Sequence, residues 1–172
     1  MTYLSASFER TSQDVLDSVQ AGIANFGATN VIVTGHSLGA AIALLDTMFL
    51  ATRLDPSIAL KSVVFGLPRT GNKEWASFVD KTVQDRNINF QFFTNDADPV
   101  PKVPPTALGY QHPSGEIFQK NNTATDGTIQ TLRCPGQENE NCSASISLLE
   151  SDVSAHDGPY AGVGLGSKFC LL

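Results

Sequence analysis

A serine between two glycines lies early in this chain of 172 residues, in the pattern Gly35-His36-Ser37-Leu38-Gly39. The pattern G-x-S-x-G is typical of a sharp strand-to-helix turn that lifts a nucleophilic serine hydroxyl above a sheet. Glycines are expected on both sides of the serine, because side chains there would collide with the turn. The backbone N–H of Leu38 would donate to the oxyanion that develops on an attacked carbonyl group. The pattern predicts acyl transfer through Ser37.

The neighbours of the motif strengthen this interpretation. Chance alone would produce the pattern in about one chain in ten of this length. Here the β-branched run Val31–Thr34 comes directly before it, and residues from Leu38 to about Thr52 are rich in alanine and leucine. A buried strand followed by a helix is the setting that the motif requires. The alternative of a nucleotide-binding loop fails because no G-x-x-x-x-G-K-[ST] pattern is present.

A serine needs a general base, and in this fold the triad follows the chain order serine, acid, histidine. Three histidines are available. His36 lies within the turn itself and is poorly placed to serve Ser37, while His112 adjoins a tight turn in a predicted strand and favours a structural role. His156 lies in a loop near the C-terminus, where the base of such a triad belongs, and it is our predicted base.

Two aspartates are candidates for the acid that orients this base. Asp96 and Asp98 both follow the predicted strand Ile88–Phe93. A carboxylate just beyond the carboxyl end of a parallel strand would lie at the same edge of the sheet as Ser37. Position alone does not separate the two, and either could instead cap the loop.

Alternating strand and helix patterns place these residues on an α/β fold with a mostly parallel sheet. We predict a single domain over residues 1–172.

Apolar residues at helical spacing predict a helix over Ser12–Asn25, capped by Thr11 or Ser12. A second helix is expected over Asn72–Val83 and a further strand over Leu60–Phe65. Two short strands flank a turn within Tyr110–Phe118, and Thr123–Ser147 resembles a loop. The apolar faces of the two helices comprise Phe8, Leu16, Val19, Ile23 and Phe26, and Trp75, Phe78, Val79 and Val83.

The net charge of −6 disfavours nucleic acid and anionic membranes as partners. A neutral lipid or ester surface remains compatible with this charge. No apolar run approaches the ~20 residues needed to span a bilayer. Met1–Arg10 lacks the pattern of a signal peptide, so if the protein is secreted we expect its export signal outside this chain.

Cys134 and Cys142 enclose a short polar segment, which predicts a disulfide; the alternative is two unpaired buried thiols. A zinc site is disfavoured because no second ligand pair is present. Cys170 is then left unpaired. Asn121 and Asn141 match glycosylation acceptors.

The chain resembles the class 3 lipases, the fungal triacylglycerol lipase family, which also contains feruloyl esterases. Most of the chain from about Thr11 onward carries the resemblance, in Val33–Ala40, Phe65–Asn72, Asp98–Pro101 with Pro104-Pro105, and Cys134–Glu138 with Cys142. The resemblance implies an α/β-hydrolase fold, a secreted protein and a lipophilic ester substrate, with no cofactor or metal. It also selects Asp98 over Asp96, and supports His156 as base and the disulfide.

Two departures from the family pattern have consequences. Tyr160 lies four residues after His156, where relatives place an aromatic residue at three, so the acyl-pocket wall beside the base is expected to differ. The family's N-terminal strands, lid and second oxyanion donor have no counterpart before Ser12. We therefore expect the domain to be N-terminally incomplete, the second donor to be absent from the chain, and the former partner of Cys170 to be lost with it.

Three functions follow as hypotheses. The first is a triacylglycerol lipase-like serine ester hydrolase that contacts a lipid interface. The alternatives are a feruloyl esterase of the same family and a non-catalytic truncated fragment that aggregates. Little favours a serine peptidase on this fold.

Overall fold

The computed structural model describes residues 2–120 and 129–165. The helices of these residues are α1 (Thr2–Phe26), α2 (Leu38–Arg53) and α3 (Lys73–Asp85). The strands are β1 (Asn30–His36), β2 (Ala59–Phe65), β3 (Gly71–Asn72), β4 (Asn89–Asn95), β5 (Tyr110–Gln111), β6 (Glu116–Lys120) and β7 (Gln130–Cys134). Short 3-10 helices cover Val100–Lys102, Thr106–Leu108, Ser143–Ser145, Leu148–Glu150 and Val153–Asp157.

Five strands form the main sheet in the order β1-β2-β4-β6-β7. The first four are parallel, and β7 runs antiparallel to β6. A separate antiparallel pair joins β3 and β5. The mostly parallel sheet predicted from the alternating pattern is confirmed. Because parallel strands end on the same side of a sheet, the carboxyl ends of β1, β2, β4 and β6 lie together, and we call this the carboxyl edge.

Helix α2 forms the centre of the core. Alanine and leucine favour helix because they lose little side-chain freedom in it. Residues on several sides of α2 are buried, including Ala40, Leu44 and Leu50. The helix contacts β1 and β2 on one side and α1 on another. This packing holds the first turn of α2 firmly against the end of β1.

The first helix is longer than the sequence predicts. It begins at Thr2, whereas the expectation was a start at Ser12 with Thr11 or Ser12 as cap. Thr11 does not cap, because its hydroxyl donates to the carbonyl of Ser7 one turn earlier within the helix, at 3.2 Å. Phe26 was expected on the buried face and is 85% exposed at the helix end.

The second predicted helix is shifted by one or two residues. α3 covers Lys73–Asp85, and Asn72 is its cap, with a side-chain oxygen that accepts from the Trp75 N–H at 3.0 Å. On the predicted apolar face Val79 is fully buried, whereas Phe78 is 45% exposed and stacks on Trp75.

Two strand predictions are also corrected. Residues 130–134 were expected to form a loop but form β7, whose side chains are exposed except for Cys134. The sequence of such a strand shows no apolar periodicity, because the strand is held by backbone hydrogen bonds to β6 and not by a buried face. The run Val31–Thr34 was expected to be buried. Ile32 is instead 67% exposed, because it points to the face of the sheet opposite the core: Val31 and Val33 pack against the core, whereas Ile32 pairs with the exposed Lys61 of β2.

A disulfide joins Cys134 to Cys142, with the Cα atoms 6.3 Å apart. Beside it, the Arg69 guanidinium donates to both carboxylate oxygens of Glu138 at 2.7 Å. These contacts hold the disulfide loop against the segment after β2. Asn141 is exposed. Cys170 and Asn121 lie outside the described residues.

Candidate active site

The turn between β1 and α2 carries Ser37. The serine has φ 59° and ψ −127°, an unusual conformation for a residue with a side chain. A Cβ atom at Gly35 would collide with the carbonyl of Gly39, so glycine is required there. The same requirement was expected at Gly39 and is wrong, because a Cβ atom there would meet nothing within 4 Å. The backbone thus projects the Ser37 hydroxyl from the carboxyl edge.

Three predicted residues converge beside this turn. The Ser37 Oγ lies 2.7 Å from His156 Nε2. The other ring nitrogen, His156 Nδ1, lies 2.9 Å from Asp98 Oδ2 and 3.1 Å from Asp98 Oδ1. These contacts assign the proton of neutral His156 to Nδ1, which donates to the aspartate, and leave Nε2 to accept from the serine. The hydroxyl is therefore placed for proton transfer to the imidazole.

Asp98 is held in place by further donors. Its carboxylate is 1% exposed and accepts the Val100 N–H at 2.8 Å and the Tyr160 hydroxyl at 3.2 Å. Asp96 has a positive φ of 41°, and its N–H donates to the Gln119 carbonyl at 2.7 Å. Of the two aspartates left open by position, Asp98 is the one beside the histidine.

The loop that carries Tyr160 was expected to differ from the family pattern beside the base, and in the structure this residue lies behind the acid. It is 2% exposed. Burial is the main cause that raises the pKa of its hydroxyl, and the negative charge of Asp98 is the second, so the hydroxyl stays a donor. Gly66 makes room for this arrangement. With φ 56°, a Cβ atom there would lie 2.9 Å from both the Tyr160 hydroxyl and His156 Cε1. The extra residue before Tyr160 indicated in the sequence that the loop is changed, but it did not indicate the contact between the Tyr160 hydroxyl and Asp98.

The two remaining histidines have different surroundings. His36 stacks on the His156 ring with centroids 4.5 Å apart, and its Nε2 lies 2.8 Å from the His156 carbonyl oxygen. His112 follows β5, where its Nε2 is bonded to the Pro101 carbonyl at 2.8 Å, and it stacks on Phe92. Burial lowers the pKa of His112 to about 4, so its ring is neutral at pH 7. His112 does not reach Ser37 and has the structural role expected of it.

A buried cation lies close to the acid. Lys102 is 8% exposed, and its Nζ donates to the Ser151 hydroxyl at 2.9 Å. Burial lowers the pKa of Lys102, while the negative charge of Asp98 opposes that shift. This contact ties the loop that carries Asp98 to the segment that leads to His156.

One concavity lies away from the serine. It measures about 490 Å³ and is lined at the amino ends of β4 and β6 by Phe90, Gly115 and Glu116, the end opposite to Ser37. We do not assign it to substrate.

Within the described ranges, one group has the composition of a metal site, Glu116 with Cys134 and Cys142. Both of its sulfurs are joined in the disulfide, so they do not offer thiolate ligands.

The backbone N–H of Leu38 opens α2, and the first N–H groups of a helix have no partner within it. Its role toward an oxyanion stays a prediction.

None of the helices in residues 2–120 and 129–165 has the length and apolar character to cross a membrane.

A family model described as lipase (class 3) matches residues 1–108. A secreted mono- and diacylglycerol lipase of Malassezia globosa is 35% identical over 170 residues, which are 96% of this chain and 53% of the relative. The chain therefore spans about half the length of this relative. The crystal structure of a lipase from Rhizopus microsporus var. chinensis matches with a TM-score of 0.78 at 33% identity, over 94% of this chain and 53% of that one. A triacylglycerol lipase with a serine protease triad as its catalytic centre matches with a TM-score of 0.79 at 27% identity, over 98% and 60%.

Proposed function

The chain belongs to the class 3 lipase family and has its α/β-hydrolase fold, and from this premise we propose that it hydrolyses carboxylic esters through an acyl-enzyme on Ser37. One observation carries the proposal. The Ser37 hydroxyl, the His156 ring and the Asp98 carboxylate form a continuous chain of contacts at 2.7 Å and 2.9 Å. This is the geometry of a nucleophile, its general base and the group that orients the base.

In the first half of the reaction, the Ser37 Oγ attacks the carbonyl carbon of the ester while His156 Nε2 takes its proton. The carbonyl oxygen becomes an oxyanion, which the Leu38 N–H stabilises. The tetrahedral intermediate then expels the alcohol, whose oxygen receives the proton from His156. The serine is left as an acyl ester.

The second half repeats the chemistry with water. His156 Nε2 takes a proton from the water as its oxygen attacks the acyl carbon, and returns that proton to the Ser37 Oγ as the fatty acid leaves. Asp98 stays ionised throughout and stabilises the imidazolium by its charge and by its contact with Nδ1. Because this carboxylate is buried, its effect on the imidazolium is stronger than it would be in water.

We propose acylglycerols as the substrates. Two of the similar proteins named above are lipases of mono- and diacylglycerols or of triacylglycerols, which supports this class over feruloyl esters. The charge of −6 supports a neutral rather than an anionic lipid surface as the site of action.

The protein is proposed to act outside the cell at a lipid interface. A disulfide and a relative that is named secreted support the location. Exposed apolar side chains in the segment leading to His156 support the interface. Leu148 is 51% exposed, Leu149 98% and Val153 75%, and their segment is tied to the acid loop by the Asp152 N–H, which donates to the Ala97 carbonyl at 2.9 Å.

The test compares Ser37→Ala with Ser154→Ala, an exposed serine two residues before the proposed base. Each protein is labelled with a fluorophosphonate and assayed on p-nitrophenyl butyrate, on mono-, di- and triacylglycerol emulsions and on methyl ferulate. We expect labelling and turnover of acylglycerols by the wild type and the Ser154 variant, and a loss of roughly 10⁶-fold in kcat for the Ser37 variant. Turnover by clean Ser37→Ala protein would refute the covalent mechanism, and a preference for methyl ferulate would favour the feruloyl esterase.

A further inference from the structure

Two buried amide side chains lie side by side at the carboxyl edge. Asn95 ends β4 and Gln119 lies in β6, and the two are paired in the register of these parallel strands. Both are fully buried, with 0% exposure. Gln119 Nε2 donates to Asn95 Oδ1 at 2.9 Å. Amides are costly to bury unless their hydrogen bonds are made, so their other partners matter.

Those partners lie on both sides of His156. Asn95 Nδ2 donates to the Ala155 carbonyl at 2.8 Å, one residue before the base. Gln119 Nε2 also donates to the Pro159 carbonyl at 2.5 Å, and Gln119 Oε1 accepts the Ala161 N–H at 2.8 Å. The pair thus holds the backbone before and after His156 from two neighbouring strands.

This segment has little regular structure of its own. The base lies in the 3-10 helix Val153–Asp157, and Gly158 follows it with φ 96°. Such a segment has few internal backbone bonds to fix its position. An apolar pair at 95 and 119 would fill the same space, but it would leave the Ala155 and Pro159 carbonyls without these donors.

We propose that Asn95 and Gln119 are positioning residues of the reaction, which set the distance between His156 Nε2 and the Ser37 Oγ by fixing the backbone on both sides of the base. This inference rests on the proposed function. Neither amide touches the reacting atoms. Both act through His156, whose ring must stay within hydrogen-bond reach of the serine for proton transfer.

The expected size follows from the sensitivity of the reaction to geometry. A displacement of about 1 Å at a catalytic group lowers the rate by about 10²-fold. Gln119→Met keeps the length of the side chain and removes its contacts with Asn95, Pro159 and Ala161. We expect kcat on p-nitrophenyl butyrate to fall by about 10²-fold with KM within about twofold, because Gln119 is fully buried and acts through the base rather than on the substrate.

The matched control is Gln137→Met. Gln137 also has a hydrogen-bonded amide, with Nε2 donating to Asp80 Oδ2 at 2.7 Å, but none of its contacts reaches the segment around His156. Titration with a fluorophosphonate counts the competent serines in each preparation. A purely structural role of Gln119 would lower this count, whereas a positioning role lowers kcat per titrated serine. An unchanged kcat per serine in Gln119→Met, or an equal loss in Gln137→Met, would overturn the proposal.

A second variant and a second readout keep the test decisive. Asn95→Leu removes the second amide of the pair. Because both substitutions remove hydrogen bonds to the same backbone segment, the double variant should lose no more kcat than the more impaired single variant. Losses that multiply would contradict a joint role.

The proton on His156 Nδ1 gives a readout without turnover. Its downfield NMR signal, assigned by its absence from His156→Ala, should be sharp in the wild type and broadened or lost in Gln119→Met. If the signal is sharp in the wild type and broadened or lost in Gln119→Met, but the wild type has no turnover, the proposed function is refuted and the positioning role is retained. An active wild type with the same sharp signal in Gln119→Met would refute the positioning role alone.

Discussion

Tyr160→Phe is the most direct test of how the acid is held. The substitution removes one hydroxyl that is 3.2 Å from Asp98 Oδ2 and leaves the ring in its buried site. A hydrogen bond to a charged group contributes about 1.5–3 kcal/mol. This bond is longer than the roughly 2.5–2.7 Å of a strong O–H···O⁻ contact, so the lower value applies. About 1.5 kcal/mol corresponds to a tenfold loss of rate.

The loss should appear in kcat, since Tyr160 is buried behind the acid and Asp98 keeps its contacts with His156 and the Val100 N–H. We would measure kcat and KM on p-nitrophenyl butyrate for Tyr160→Phe and for the control Tyr110→Phe, which lies in β5. An unchanged kcat would show that Asp98 is oriented without this hydroxyl. A loss beyond about 10³-fold would mean that the hydroxyl has a larger part in the reaction than the one described.

Three further outcomes are expected. The pKa of His112 is about 4 in the fold against 6.5 in its unperturbed state, so unfolding takes up a proton between these values. The free energy of unfolding should therefore decline as the pH falls from 6.5 to 4, by about 3 kcal/mol in urea titrations, and decline less in His112→Gln. Leu149→Ser should slow hydrolysis of a triacylglycerol emulsion and leave the rate on a dissolved ester unchanged; equal slowing of both would contradict an interfacial role. Because Cys134 and Cys142 are joined, denatured and unreduced protein should titrate one thiol, that of Cys170, and a count of three or none in a monomer would be inconsistent with it.

Local pattern was sufficient to predict the turn that carries Ser37. The apolar strand, the glycine at 35 and the small-residue helix are contiguous in the chain, so their meaning does not depend on distant contacts. The alternation of strands and helices predicted the parallel sheet for the same reason. His156 and Asp98 required the order rule and the family resemblance in addition, because 58 residues separate them.

The residues that hold the base and the acid were not predictable in this way. Asn95 and Gln119 meet only because β4 and β6 are neighbours in the sheet, although 24 residues separate them. Tyr160 reaches Asp98 only through the bend at Gly158, which has φ 96°. Each of these contacts depends on the pairing of strands or on loop shape, neither of which hydrophobic periodicity encodes. The strand β7 was missed because its exposed side chains leave no periodic signal.

The proposed base lies in a short 3-10 helix, whereas the nucleophile lies at the junction of a strand of the main sheet and the core helix α2. Stability is not uniform in such a molecule, and segments with few regular backbone bonds open at lower free energy than the sheet. Opening of residues 152–161 would separate His156 from Ser37 while β1, β2 and β4 stay paired. Heat or mild denaturant should then abolish turnover before the circular dichroism of the sheet and helices changes. In amide hydrogen exchange, the N–H of Ala161 should exchange earlier than those of β2.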